Sequence, residues 1–287
     1  MRLYQKLLLG GAAIAASLLP LELSRADPVR DYFARIGLER KLTQNPTEAN
    51  KRLRVFPDSF KKASVKKYEV PEAKYCLAHV KQLHYRSPLI VGDIPFLSKS
   101  DNQILQERNK TQHKITYNYV NNFQKDIYDV LKELSKKGFN RVRLEGATKP
   151  AERANCTREF RTIQIELLAF LGDVDLIKRY YFVPGAGVML GSQGDIKVLP
   201  AEKPMIFERA RRNPKNKKYV FDARENALLE LVDEQGDAFS IVLYGAKHDF
   251  KDNIYVWNQQ NPNKKFSLIE VTAKSKIPME FMLSSHK

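Results

Sequence analysis

The stretch Phe239-Ser240-Ile241-Val242-Leu243-Tyr244-Gly245-Ala246-Lys247-His248-Asp249 decides the fold of this 287-residue chain. Its first six residues, with a single small polar interruption, have the length of a strand, and a nearly continuous apolar run of that kind is covered on both faces. Strands covered on both faces belong to largely parallel sheets flanked by helices. Such sheets bind ligands outside the carboxyl ends of their strands, where a glycine lets the backbone turn sharply. His248, just past Gly245, is thus placed where this kind of fold keeps its chemistry.

Working outward, a second strand over Asn140-Arg141-Val142-Arg143-Leu144 stops at Glu145-Gly146 and projects a carboxylate from the same edge. His84 follows the apolar stretch Cys76-Leu77-Ala78-His79-Val80 and precedes the breaker Ser87-Pro88. Two histidines and a carboxylate on one rim are a donor set for a divalent metal ion or a means of activating water. His79, in the same apolar stretch, is expected as a ligand or as a partner behind one. Glu202, just beyond a short strand over 196–199, is a further rim carboxylate.

Helical periodicity fills the spaces between these strands. Ile127, Val130, Leu131 and Leu134 share one face, and Gly138 follows Lys136-Lys137 as a carboxyl cap. Residues 158–171 form another helix with Ile163, Leu167, Leu168 and Leu171 inward and Gly172 at its end. Residues 222–233 and 251–260 give two more, and 266–272 gives a closing strand. Residues 180–194, rich in glycine and apolar side chains, fix no assignment. The alternation predicts an α/β fold with a largely parallel sheet and helices on both faces. One such domain is expected over 71–275, with a tail over 276–287. Residues 27–70 are charged, with few periodic apolar positions, and are expected to be a basic extension carrying one short helix outside the core.

Arg2 and Lys6 precede the apolar run 7–19, and Ser24-Arg25-Ala26 offers small residues for cleavage. This is the pattern of a signal peptide over 1–26 and predicts an exported, periplasmic or secreted protein. The run is short of the roughly 20 residues of a membrane span, although an uncleaved leader would act as an anchor. Cys76 and Cys156 are the only cysteines, and either a disulfide or two buried thiols satisfies the sequence. The chain has 49 basic and 33 acidic residues, a net charge of +16. Basic clusters at 35–67 and 209–218 suit an anionic membrane or polysaccharide surface, or are simply solvated loops. They lack the aromatic interleaving of a nucleic-acid module, so nucleic acid is not an expected partner. There is no Gly-x-Ser-x-Gly elbow, Gly-x-Gly-x-x-Gly turn or phosphate-binding loop.

The order of a strand ending in Glu145-Gly146, a helix opened by Arg224-Glu225-Asn226, and a strand followed by Gly245-x-x-His248 resembles a known superfamily. It joins the TIKI, TraB and GumN proteins with ChaN and erythromycin esterase, and the likeness covers about residues 75–273. In place of its first Gly-x-x-His motif this chain has Lys81-Gln82-Leu83-His84. The resemblance implies a hydrolase that opens an ester or amide bond of a small-molecule or peptide substrate by activating water. It implies His248, Glu145 and Arg224 as catalytic groups, and His84, Glu145 and His248 as ligands of a divalent metal. It also implies an alternative, a non-catalytic protein of the same fold that binds haem or another small ligand. Plain structural roles compete at each position: Glu145 paired with Arg143 or Lys149, Arg224 with Glu225 or Asp222, and His248 capping the helix that follows it.

Overall fold

The computed structural model describes residues 27–39, 46–83, 99–212 and 217–275. The expected leader, the tail and His84 lie outside the described residues. In chain order the elements are α1 (Pro28–Glu39), α2 (Glu48–Val55), β1 (Ala63–Tyr68), β2 (Tyr75–Gln82) and α3 (Lys99–Lys136). Then come β3 (Arg141–Leu144), α4 (Arg153–Leu171), α5 (Val174–Arg179), α6 (Ala186–Gln193), β4 (Lys197–Pro200) and α7 (Pro204–Arg212). The last four are α8 (Lys217–Gln235), β5 (Phe239–Gly245), α9 (Phe250–Gln260) and β6 (Phe266–Ala273).

The strands form one sheet in the order β1-β6-β2-β5-β3-β4. All neighbouring pairs are parallel except β1 with β6, so the α/β reading holds. Alternation along the strands divides two cores. Cys76, Ala78, Val80, Val142, Ile241 and Leu243 face α2, α3 and α6 on one side. Tyr75, Leu77, Val242, Tyr244 and Leu268 face α1, α8 and α9 on the other. This two-sided burial explains why β5 is almost uninterrupted in apolar residues. β5 sits between β2 and β3 although it follows both in sequence. The carboxyl ends of these three strands therefore meet where the order of connections reverses, the usual place for a crevice in an open parallel sheet.

One expectation is corrected and two are refined. Residues 27–70 do not form an extension lying wholly outside the core. β1 pairs along its length with β6, and Leu53, Phe56, Phe60 and Ala63 are buried in the same core as β2 and α3. Phe56 packs its ring against Phe139 at 5.5 Å and Phe239 at 6.0 Å. The apolar residues of this segment are few, but they converge on one spot, which spacing along the chain does not reveal. The unassigned stretch 180–194 holds a turn and α6, whose packing requires glycine: a Cβ on Gly191 would come within 2.7 Å of Cys156 Sγ. α8 begins at Lys217, upstream of the expected 222.

Cys76 and Cys156 are both free and buried, and burial pushes both thiols above the ordinary range. Among the described residues no helix is long and apolar enough to cross a membrane.

Candidate functional site

Glu145 leaves the end of β3 and occupies the centre of a polar cluster at the carboxyl edge of the sheet. Its backbone N–H donates to Leu243 O (3.0 Å), extending the β3–β5 ladder by one rung. Gly146 then turns at φ +85°, a conformation open to glycine at little cost, and sends the chain toward β4. The Gly245 N–H donates to Glu145 Oε2 at 2.6 Å. Neighbouring strand ends thus fix the carboxylate through backbone as well as side-chain contacts.

Arg224, from α8, reaches over the strand ends between two carboxylates. Its Nη2 donates to Glu145 Oε1 at 2.7 Å, and its Nε donates to Glu202 Oε1 at 3.1 Å, with a second contact from Nη2 to Glu202. Glu202, immediately after β4, is fully buried and also accepts from the Gly146 N–H at 3.4 Å. Arg224 lies over the Tyr244 ring at 5.6 Å and the Phe207 ring at 5.8 Å. Burial opposes its charge, but the hydrogen bonds to Glu202 and the two carboxylates outweigh this, so its pKa moves up. The partners that sequence offered for Glu145 and Arg224 are not the ones the fold supplies, because it joins the two to each other. Arg143 instead turns away from Glu145 and holds Pro200 O, Gln235 and Asp237.

His248 is 2% exposed, with Nδ1 2.7 Å from Glu225 Oε1 and Nε2 3.4 Å from Glu145 Oε1. Its ring meets the edge of Tyr244 at 4.8 Å and stacks on Phe250 at 6.3 Å. Burial alone would lower its pKa, yet the bonds to Glu145 and Glu225 prevail and raise it. Glu225 is raised too, first by burial, with His248 pulling the other way. The helix after β5 is capped not by His248 but by Asp249, whose side chain accepts from the Lys251 N–H. Histidine is thereby left to the cluster.

A small pocket of about 160 Å³ opens beside Glu145. Gln82 at the end of β2, Gln124 of α3, Glu159 of α4 and the Gly185 turn at the start of α6 line it with Glu145. Glu145 therefore bridges two environments, with the cavity on one side of the sheet and the Arg224–His248 cluster on the other. No family model, no curated protein and no solved structure matches the chain.

Of the residues singled out from sequence, the fold unites Glu145, Arg224, His248 and Glu202. His79 is buried against Phe250, with Nε2 3.4 Å from Tyr244 O. Burial, reinforced by Lys81 and His248, pulls its pKa down to about 3, so it is a neutral core histidine. Two members carried no assignment from sequence. Glu225 sits inside the Arg-x-Asn motif as its middle residue, and its helix turns it toward His248 as Arg224 turns toward Glu145. Glu159 is one of many charges on an amphipathic helix and carries no local signal.

Of the expected metal ligands only Glu145 and His248 lie among the described residues. Glu145 already carries a guanidinium at 2.7 Å, where a second cation would be repelled, and no group of three or more ligating side chains gathers among the described residues. The pocket is also smaller than the roughly 300–1,000 Å³ of cavities that take drug-sized ligands.

Proposed function

We propose that the protein is an exported hydrolase that opens an ester or amide bond by activating water, in the manner of the superfamily it resembles. The observation that carries this reading is Glu145, a carboxylate that lines a cavity while Arg224, the Gly245 amide and His248 hold it from behind. A base must be ionised and must meet the substrate's water. Glu145 satisfies the second condition by lining the pocket and the first by its pairing with Arg224. Neither His248 nor Arg224 lines the pocket, so they act as positioning residues. Arg224 fixes the carboxylate in place, and its charge is already shared between two glutamates. His248, held on Nδ1 by Glu225, presents Nε2 to Glu145 and keeps the carboxylate oriented. Together these groups place a base at the strand edge without ordering a flexible side chain during the reaction.

The test sets the purified protein against a panel of p-nitrophenyl esters, alkyl esters and short peptide amides. Turnover by the wild type is expected, with Glu145→Gln lowering kcat by about 10²–10⁴. The urea midpoint should move little in that variant, because Glu202 still neutralises Arg224. No wild-type turnover of any ester or amide, or full activity in Glu145→Gln, would reject the reading.

A further inference from the structure

We infer that Glu159 is the proton donor to the leaving group in this site, the acid opposite the base Glu145. The inference rests on the hydrolase reading above and adds a residue to it. Glu159 and Ile163 stand one turn apart on α4, at the flank of the inward stripe that buries Cys156 and Leu167, and both line the pocket with Glu145. Glu145 and Glu159 thus line one small cavity from different elements, in opposite states of pairing. Glu145 is gripped by a guanidinium, whereas Glu159 makes no hydrogen bond or ion pair among the described residues. Among the described residues, the charged residues that line a pocket together with Glu159 are Glu145 and, in the adjoining groove on α4, Arg158. The residue as a whole is exposed, yet partial burial of its carboxyl raises its pKa above the ordinary glutamate range. A carboxylate held by a cation and one unpaired among the described residues, lining the same cavity, are the arrangement expected of a base and an acid.

The chemistry balances. Water attacks the carbonyl carbon and passes a proton to Glu145. The carbonyl carbon then loses its bond to the leaving oxygen or nitrogen, whose electron pair takes the proton of Glu159. The products are the carboxylic acid and the alcohol or amine. Glu145 and Glu159 return to their starting states by proton exchange with solvent.

A leaving group that departs as a stable anion needs no donor, whereas an alkoxide or amide ion does. Glu159→Gln should therefore lose about 10²–10⁴ in kcat/KM on an alkyl ester and stay within about threefold of wild type on the p-nitrophenyl ester of the same acid. The substitution touches no partner and leaves the fold intact. Equal losses on both esters would make Glu159 a binding or structural residue, and no loss on either would remove it from the reaction; each outcome overturns the inference while leaving the hydrolase reading standing. A wild type inactive on both esters overturns the two together. In the ¹³C-labelled full chain the Glu159 carboxyl should titrate above the ordinary glutamate value, and titration at or below that value also overturns the assignment.

Discussion

Replacing Arg224 by Met removes the one cation that Glu145 and Glu202 share. The side chains of Arg224 and Glu145 are 10% exposed and that of Glu202 is 0% exposed, so the stranded charges have little access to water. Breaking a buried pair by removing one partner costs about 3–5 kcal/mol, because an uncompensated charge stays behind. Glu202 loses its guanidinium while Glu145 keeps His248 and the Gly245 N–H, and the methionine keeps most of the packing against Tyr244 and Phe207, so the loss reports charge rather than volume. With a urea slope of about 3 kcal/mol per molar for a chain of this size, the midpoint should fall by about 1–1.7 M. Adding Glu202→Gln to Arg224→Met should recover at least half of that, since it removes the fully buried charge and keeps an acceptor for the Gly146 N–H. Equilibrium urea unfolding of the three proteins by circular dichroism decides the matter. A single variant within about 1 kcal/mol of wild type, or a double variant no better than the single, would refute the argument that Arg224 neutralises both glutamates.

His248 has a folded pKa above its unfolded value, so its contribution to stability is complete below about pH 6.5 and is lost as the pH rises through the folded pKa. Urea midpoints measured across that range should decline in the wild type and flatten in His248→Gln; parallel profiles would count against the pairing with Glu225. Glu270 behaves in the opposite sense. Burial would raise its pKa, but hydrogen bonds from Lys251 and Lys81 bring it down to about 2. Its contribution is therefore present above the unfolded value of about 4.3 and lost as the pH falls through about 2, an acid-side slope that Glu270→Gln should lack. Leu53→Ala, deep in the core beside Phe56, should cost about 2–5 kcal/mol, and a loss below about 1 kcal/mol would return residues 46–62 to the status of an extension.

Periodicity in the chain is enough to specify the layered α/β architecture. The apolar run at 239–244 and the helical stripe at 127–134 bury as a sheet covered by helices requires, whereas the 158–171 stripe packs Leu167 and Leu171 against α3 and the turn at 180–183 and leaves Leu168, expected inward, exposed. Residue type and position relative to a strand end also place Glu145, His248 and Glu202 on one rim, because the carboxyl ends of parallel strands all point the same way. What spacing along the chain leaves open is which of these groups touch. The insertion of β5 between β2 and β3 brings the Gly245 amide onto Glu145. Adjacent residues on a helix point about 100° apart, so Arg224 reaches Glu145 and Glu202 while Glu225 reaches His248, yet nothing local to α8 names those partners.

The same limit hid the role of residues 46–68. Leu53, Phe56 and Phe60 are too sparse to give a period, and β1 gains its place only by pairing with β6, where Ser64 bonds to a residue 208 positions away. Local pattern specifies which face of an element is buried. Which elements become neighbours, and so which charges neutralise one another, depends on contacts distant in sequence, and only the tertiary structure decides them.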